Sequence, residues 1–286
     1  MKKLKEITKE LRLLIDQQDE NRHLLIRKFI LYSPKMPLRL HQQQLIAESK
    51  QFQLSVYDAY FTQSNLNINC FSWGKGKTKV LLTHGWASKG LDFYELIVEL
   101  RKIDDLEIIT FDAPGNGSSI SELSNLILYV NSIKAIYSNY AKPNIIIGHS
   151  LGVMANAIAI QELAFEPDLS ISIAPLIRLK ENFEQSLNLL EITQTDQETF
   201  FTNFADEVNV PASHFNIIER YTPNANQNHF LAFDPDDYIS PYAYLKDFLD
   251  INPSINAKSY HDIGHYKILK SAVLINDVVE KVKILA

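Results

Sequence analysis

A serine flanked by glycines, in GHSLG at 148–152, is the part of the sequence that most clearly indicates chemistry. An apolar run at 144–147, typical of a buried parallel strand, precedes it. The segment 153–160 follows it, contains no Gly or Pro, and predicts a helix. A sharp turn between strand and helix strains the serine backbone and exposes the hydroxyl, and the helix N-terminus adds partial positive charge. The pattern predicts that Ser150 is a nucleophile; the alternative is a glycine-rich turn carrying an exposed serine.

A serine hydroxyl is a weak nucleophile unless a neighbouring base takes its proton. Of the eight histidines, His265 lies just after the last predicted strand, at the sheet edge where Ser150 is expected. The base in turn needs a carboxylate, and Asp234, Asp236 and Asp237 follow another strand at that edge. The alternatives are a structural histidine and an acidic turn, because Asp and Pro favour turns.

Alternating strands and helices are predicted to position these groups. An antiparallel pair at 53–61 and 66–73 comes before the alternation, which indicates βαβ units, right-handed crossovers and a mostly parallel sheet. The other predicted strands are 80–83, 107–111, 144–147, 169–173, 229–233 and 256–260. Helices are predicted at 91–102, 121–140, 242–249 and 267–285.

Two helical regions are predicted outside this core. Residues 1–52 form an N-terminal helical extension, which could pack on the body, cover an active site or mediate a homodimer. Residues 176–222 contain no clear strand and predict a helical cap, with helices at 178–190, 196–208 and 211–220. The core is then 53–175 together with 223–286.

Composition excludes several functional classes. A net charge of −6 and a pI of about 5.8 disfavour nucleic acid as a partner. The single cysteine, Cys70, excludes a disulfide framework and is compatible with a cytoplasmic location. Charged residues after Lys3 argue against a signal peptide, and no apolar run is long enough to span a membrane. We find no metal-ligand spacing and expect no cofactor.

Several motifs together resemble the α/β-hydrolase fold superfamily. They are HGW at 84–86, FDAPGNGSS at 111–119, GHSLG at 148–152, DPDDYISP at 234–241 and GH at 264–265. The order Ser, Asp, His along the chain is the one expected for that family. The resemblance implies an α/β-hydrolase fold with a mostly parallel central sheet flanked by helices, and serine-hydrolase chemistry without a defined substrate.

The resemblance also implies roles for individual residues. Ser150 would be the nucleophile and His265 the general base. Asp237 matches the family's acid position in D-x-[VI]-x-P, with Asp234 as the reserve and Asp236 less favoured. In addition, the oxyanion hole would use the backbone N–H groups of Leu151 and Trp86.

Three nearby polar residues receive other roles. His84 is expected to shape its turn, His149 to point away, and Asp112 to anchor its loop, while Asn116 replaces a histidine often seen at that place.

A substrate pocket could be lined by aromatic side chains; the candidates are Trp86, Tyr266, Phe183 and Phe204, although aromatic residues in a cap often only pack it onto the body.

The predicted activity is hydrolysis of a small-molecule carboxylic ester, thioester or lactone through an acyl-enzyme on Ser150. Two alternatives stay open. One is a non-catalytic protein that binds a small ligand on the same scaffold, and the other is a different triad reaction, such as C–C hydrolysis or cofactor-free peroxidation.

Overall fold

The central feature is one eight-stranded sheet. The computed structural model describes residues 2–221 and 228–286. Strand order is β1-β2-β4-β3-β5-β6-β7-β8; β2 pairs antiparallel with β1 and β4, and the strands from β4 to β8 are parallel. The strands are β1 Lys50–Asp58, β2 Ser64–Gly74, β3 Thr78–Thr83, β4 Leu106–Asp112, β5 Ile145–His149, β6 Leu169–Ile173, β7 His229–Phe233 and β8 Asn256–Ser259.

Eleven α-helices accompany the sheet in the described ranges. They are α1 Lys2–Asp16, α2 Arg22–Leu31, α3 Leu40–Ala47, α4 Tyr94–Leu100, α5 Leu126–Asn139, α6 Leu151–Leu163, α7 Leu179–Asn188, α8 Gln194–Val208, α9 Ile217–Arg220, α10 Tyr242–Ile251 and α11 Ala272–Lys283. Three 3₁₀ helices lie at Gly90–Phe93, Ala212–His214 and Lys267–Lys270.

The sheet separates two hydrophobic cores. Successive side chains of a strand point to opposite faces, so Ile146 of β5 joins one core while Ile145 and Ile147 join the other. The Ile146 core contains residues of α1, α2, α5, α6 and the cap, and the other contains residues of α3, α4 and α11. Both faces are therefore covered, as a buried parallel sheet requires. The predicted fold class is confirmed.

The predicted antiparallel pair is present with shifted bounds, since β1 starts at Lys50 and ends at Asp58. The Asp58 carboxylate accepts the N–H groups of Tyr60, Phe61 and Thr62. These bonds satisfy the turn backbone locally, so the strand ends there.

Several predicted helices were too long. The helix predicted at 121–140 begins at Leu126, because the Asn125 side chain caps it by accepting the N–H of Leu128. The helix predicted at 267–285 is a 3₁₀ turn followed by α11, which Ser271 caps. Residues 50–52, assigned to the N-terminal helical extension, belong to β1 instead.

The N-terminal helices and the cap are held to each other by ion pairs. Arg22 of α2 contacts Asp196 of α8 at 3.0 Å, and both Nε and Nη2 of Arg27 donate to Glu207 at 2.8 and 2.7 Å. Helices α7, α8 and α9 lie in the segment that the sequence assigned to a helical cap. The predicted boundary between 222 and 223 lies outside the described residues.

No helix within 2–221 or 228–286 combines the length and apolar character that crossing a membrane would require.

Candidate active site

Ser150 lies in the sharp turn between β5 and α6. Its backbone has φ 53° and ψ −121°, a strained conformation for a residue with a side chain. A Cβ at Gly148 would lie 2.8 Å from the backbone nitrogen of Val153, and one at Gly152 would lie 2.3 Å from the carbonyl oxygen of Thr83. The two glycines are therefore needed for close approach of neighbouring backbone, and the turn projects the hydroxyl from the carboxyl edge of the sheet.

Three side chains from distant parts of the chain meet at this turn. Ser150 Oγ donates to Nε2 of His265 at 2.9 Å, and Nδ1 of that histidine donates to Oδ2 of Asp237 at 2.6 Å. Carboxylate oxygens accept, so the proton of neutral His265 is on Nδ1 and Nε2 is free to accept the serine proton. All three residues are buried.

Backbone donors fix the orientation of Asp237. Its Oδ1 accepts the N–H groups of Ile239 and Ser240 at 2.9 and 3.2 Å, which leaves Oδ2 for the imidazole. The Ser240 hydroxyl in turn donates to the carbonyl of Pro175, just beyond β6. The loop after β7 is thus tied to the loop after β6.

The other two carboxylates have different surroundings. Asp234 accepts the N–H groups of Ile263 and Gly264 at 2.8 and 2.7 Å, so it holds the loop that carries His265. Burial opposes ionisation of Asp234, but these donors and the N–H of Asp236 hold its pKa below the usual value. Asp236 is exposed. Asp237 alone of the three contacts the imidazole.

The turn that carries Trp86 packs directly on the serine. A Cβ at Gly85 would lie 3.0 Å from both the Ser150 Cβ and the His149 Nδ1. Leu151 is the first residue of α6, where an N–H has no partner within the helix. The two backbone groups proposed for the oxyanion hole thus belong to adjoining turns beside the hydroxyl.

The side chain of His84 also stabilises the turn that carries Trp86. It is fully buried, accepts the N–H of Ala113 on Nε2 at 3.1 Å, and donates from Nδ1 to the Gly85 carbonyl at 2.8 Å. The Tyr129 hydroxyl also donates to that carbonyl at 3.0 Å. Burial lowers the pKa of His84 and so keeps it neutral. This arrangement agrees with the turn-shaping role expected from the sequence.

His149 does not point away from the site, in contrast to the expectation. Its ring lies 4.9 Å from that of His265, centroid to centroid, and its Nε2 donates to the carbonyl of His265 at 2.9 Å. Burial, followed by the charge of His265, lowers the pKa of His149 to about 3. The expectation was wrong because Gly85, which has no side chain, leaves room for the His149 ring beside the loop that carries His265. Sequence periodicity carries no signal for this contact.

The loop after β4 is held by a buried polar network. Asp112 accepts the N–H of Gly90 and both the N–H and hydroxyl of Ser118, as its predicted anchoring role requires. Asn116 accepts the hydroxyl of Ser33 and donates to Ser124 at 3.1 Å. The asparagine therefore ties the segment after α2 to the β4 loop.

A cavity of about 570 Å³ opens beside Ser150 and His265. Trp86, Tyr266 and Phe183, three of the four candidate pocket residues, line it. The cavity is also lined by N-terminal residues that the sequence did not single out, namely Leu4, Phe29, Ile30, Leu31, Tyr32 and Pro34. The extension thus covers the site, one of the three arrangements considered for it. The hydrophobic periodicity of a helix indicates which of its faces is buried, but not which part of the protein that face contacts.

Phe204 is a correction to the predicted pocket. It does not line this cavity but packs in the cap interior, with ring centroids 5.7 Å from Phe183 and 6.3 Å from both Phe200 and Phe215. The reason is that α8 turns this face toward α7 and the Ala212–His214 turn, so the ring fills the cap core.

Within the described residues, no three His, Cys, Asp or Glu side chains are grouped where they could hold a metal ion.

Comparison with known sequences identifies the family. The profile described as "Alpha/beta hydrolase family" matches residues 80–267, which is most of the chain. The protein belongs to the α/β-hydrolase family. A comparison with curated proteins gives no match.

Solved structures share the fold at low identity. The esterase Pf2001 of Pyrococcus furiosus is 16% identical with a TM-score of 0.61, over 88% of this chain and 95% of that one. Mouse alpha/beta hydrolase domain-containing protein 10 is 17% identical with a TM-score of 0.61, over 82% and 98%. A thermophilic esterase from Thermogutta terrifontis is 14% identical with a TM-score of 0.56, over 82% and 98%. These similarities establish the same fold.

Proposed function

We propose that the protein is a serine hydrolase that cleaves a small carboxylic ester. The observation that carries this proposal is the unbroken hydrogen-bond chain from Asp237 through His265 to Ser150, with the serine held in strained geometry beside a cavity. A nucleophile, a base within hydrogen-bond reach and a group that orients the base are what acyl transfer requires. Two of the similar structures belong to esterases, which is consistent with the proposal.

The mechanism follows from the roles of these atoms. His265 Nε2 takes the Ser150 proton while Oγ attacks the ester carbonyl, forming an Oγ–C bond and a tetrahedral intermediate. The N–H groups of Trp86 and Leu151 hold the oxyanion, and Asp237 stabilises the imidazolium. His265 then returns the proton to the departing alcohol oxygen as the C–O bond breaks.

Water completes the cycle by the same route. His265 removes a proton from water, the resulting hydroxide adds to the acyl carbon, and the Oγ–C bond breaks with return of the proton to the serine. The products are a carboxylic acid and an alcohol, with no net change in the enzyme.

The test compares wild type with Ser150→Ala on p-nitrophenyl butyrate, together with labelling by a fluorophosphonate. We expect the substitution to abolish turnover and labelling while the circular dichroism spectrum and Tm stay those of wild type. Retained esterase activity in Ser150→Ala would refute the assignment. A wild-type protein that binds the probe without covalent labelling would indicate a ligand-binding protein instead.

A further inference from the structure

The residues that line the cavity at the carboxyl edge of the sheet fall into two groups, which we call its two ends. At one end are residues after β7 and β8, including Ile239, His265 and Tyr266. At the other end are residues of α2 and the start of α5, including Phe29 and Leu126. In the sheet, β5, which is followed directly by Ser150, has β7 and β8 on one side and β1, on which α5 packs, on the other.

The chemistry distinguishes the ends. His265 must deliver its proton to the departing alcohol oxygen, so the alcohol of the substrate has to leave on the histidine side. Tyr238 and Tyr266 on that side are 72% and 57% exposed, so this end opens to solvent. The acyl group then extends the opposite way, toward the N-terminal helices.

We propose that the N-terminal segment forms half of the acyl-binding site, and that the substrate is an ester of an uncharged apolar acyl chain of several carbons. The acyl chain lies against α2, with Phe29 as a specificity-determining residue. The inference rests on the proposed ester hydrolysis and names the substrate class for that same site.

The lining supports an uncharged acyl chain. Among the described residues that line the cavity, none is Lys, Arg, Asp or Glu. The side chains contributed by the N-terminal helices are apolar, namely Leu4, Phe29, Ile30 and Leu31. A carboxylate buried against these four apolar side chains would lose hydration without meeting a Lys or Arg partner among the lining residues, which is costly. The cavity of about 570 Å³ is within the usual range for small-ligand sites and far exceeds an acetyl group.

Polar groups lie on the α7 wall of the same cavity. Asn182, Gln185 and Ser186 are spaced by three and four residues, so they share one face of the helix. Gln185 donates to the carbonyl of Tyr238 at 2.9 Å, which connects α7 to the histidine end of the cavity. The polar face therefore extends toward the alcohol side and the apolar wall of α2 toward the acyl side.

The N-terminal wall is fixed in place by contacts on both sides. Arg22 and Arg27 bind the cap helix α8, as described above, and the N–H of Ser124 donates to the carbonyl of Leu31 at 2.9 Å. Lys35 Nζ donates to the carbonyl of Ser119 at 2.7 Å. A wall anchored to both cap and body can select chain length, because it cannot simply move aside.

The test measures kcat/KM for p-nitrophenyl acetate, butyrate, hexanoate and octanoate, and for the p-nitrophenyl hemiester of succinate. In wild type we expect a rise of up to about fourfold for each CH₂ group buried, and at least tenfold slower cleavage of the hemisuccinate than of butyrate. Phe29→Trp fills the cavity and shifts the optimum to shorter chains, and Phe29→Ala shifts it to longer ones.

Leu24→Ala is the matched control, because Leu24 lies on the same helix, is 67% exposed and does not line the cavity. Its acyl profile should equal that of wild type. Leu4→Trp, on the partly exposed wall of α1, is the second variant if a Phe29 variant does not fold, and it should also favour shorter chains.

The outcomes separate the two proposals. If Ser150 is labelled by a fluorophosphonate and acetate is cleaved, but the Phe29 and Leu4 variants keep the wild-type acyl profile, the acyl-site inference is wrong and ester hydrolysis stands. The inference is equally overturned if these variants change only the dependence on the alcohol, measured with alkyl acetates, or if wild type prefers the hemisuccinate. Absence of both labelling and cleavage removes the proposed function and the inference with it.

Discussion

The ring of His149 packs against the ring of His265, and its Nε2–H donates to the His265 carbonyl at 2.9 Å. The residue before the nucleophile thus holds the loop that carries the base. Because the pKa of His149 is lowered to about 3, chiefly by burial, its ring stays neutral beside the imidazolium that acyl transfer generates. It can position that loop without adding a second positive charge.

His149→Ala should lower kcat roughly two- to tenfold, the worth of one neutral hydrogen bond, with little change in KM. The reason is that the His265 loop loses a donor but the cavity keeps its shape. His149→Gln, which retains an N–H donor, should recover part of the loss. Steady-state kinetics and the rate of fluorophosphonate labelling measure both variants; a wild-type kcat in His149→Ala would disprove the positioning role.

Asp237 and Asp234 should give different phenotypes. Asp237→Asn should lower kcat by about 10³–10⁴, because it destabilises the required imidazole tautomer, with little loss of stability. Asp234→Asn weakens the acceptor for the Ile263 and Gly264 N–H groups, so it should lower Tm and leave more residual activity. Thermal melts and kcat of both variants make the comparison. The reverse pattern would reassign the acid to Asp234.

Gly85→Ala tests the packing of the Trp86 turn on the nucleophile. The new methyl group would lie 3.0 Å from the Ser150 Cβ, so the turn or the serine must shift by a few tenths of an ångström. Small displacements of reacting groups can cost about 10²-fold in rate, so we expect a large loss of kcat with a modest change in Tm. Unchanged kcat would mean that this turn does not hold the oxyanion.

The stability of the protein should fall in mild acid because of its buried histidines. Burial lowers the pKa of His229 to about 4, so between about pH 6.5, the usual histidine value, and pH 4 the unfolded chain binds one more proton there than the folded one. The contribution is complete above the unfolded pKa and is lost as the pH falls. His229→Gln should reduce the slope of the unfolding free energy in this range by about 1.4 kcal/mol per pH unit.

Ser172→Ala is the control for that measurement. It removes the hydroxyl that lies 2.8 Å from His229 Nε2 but no titratable group. It should therefore lower stability by a similar amount at every pH. Urea titrations from pH 4 to pH 8 give the slopes, and an unchanged slope in His229→Gln would contradict the expectation.

The nucleophile turn and the sheet could be predicted because their signals are local. Gly148 and Gly152 lie where neighbouring backbone leaves no room for a Cβ atom. Apolar runs indicate buried strands whatever elements pack on them. The start of α5 at Leu126 also has a local signal, because Asn125 is a favoured cap residue, although the predicted helix began at 121.

The cavity walls could not be predicted in the same way. Phe183 and Phe204 both lie in helical patterns of the cap, yet one faces the cavity and the other the cap interior. That difference depends on how α7 and α8 pack, which periodicity does not encode. Phe29 likewise lies on α2, and the contacts of α2 with the cap include the ion pair between Arg27 and Glu207, which are 180 positions apart in the sequence.

The most direct test of the central claim is a stopped-flow measurement of p-nitrophenol release from p-nitrophenyl butyrate, with mass spectrometry of acid-quenched samples. We predict a burst approaching one product per protein molecule and a butyryl group on the peptide that contains Ser150, with neither in Ser150→Ala. Turnover with the acyl group on another residue, or a burst that survives in Ser150→Ala, would contradict the account.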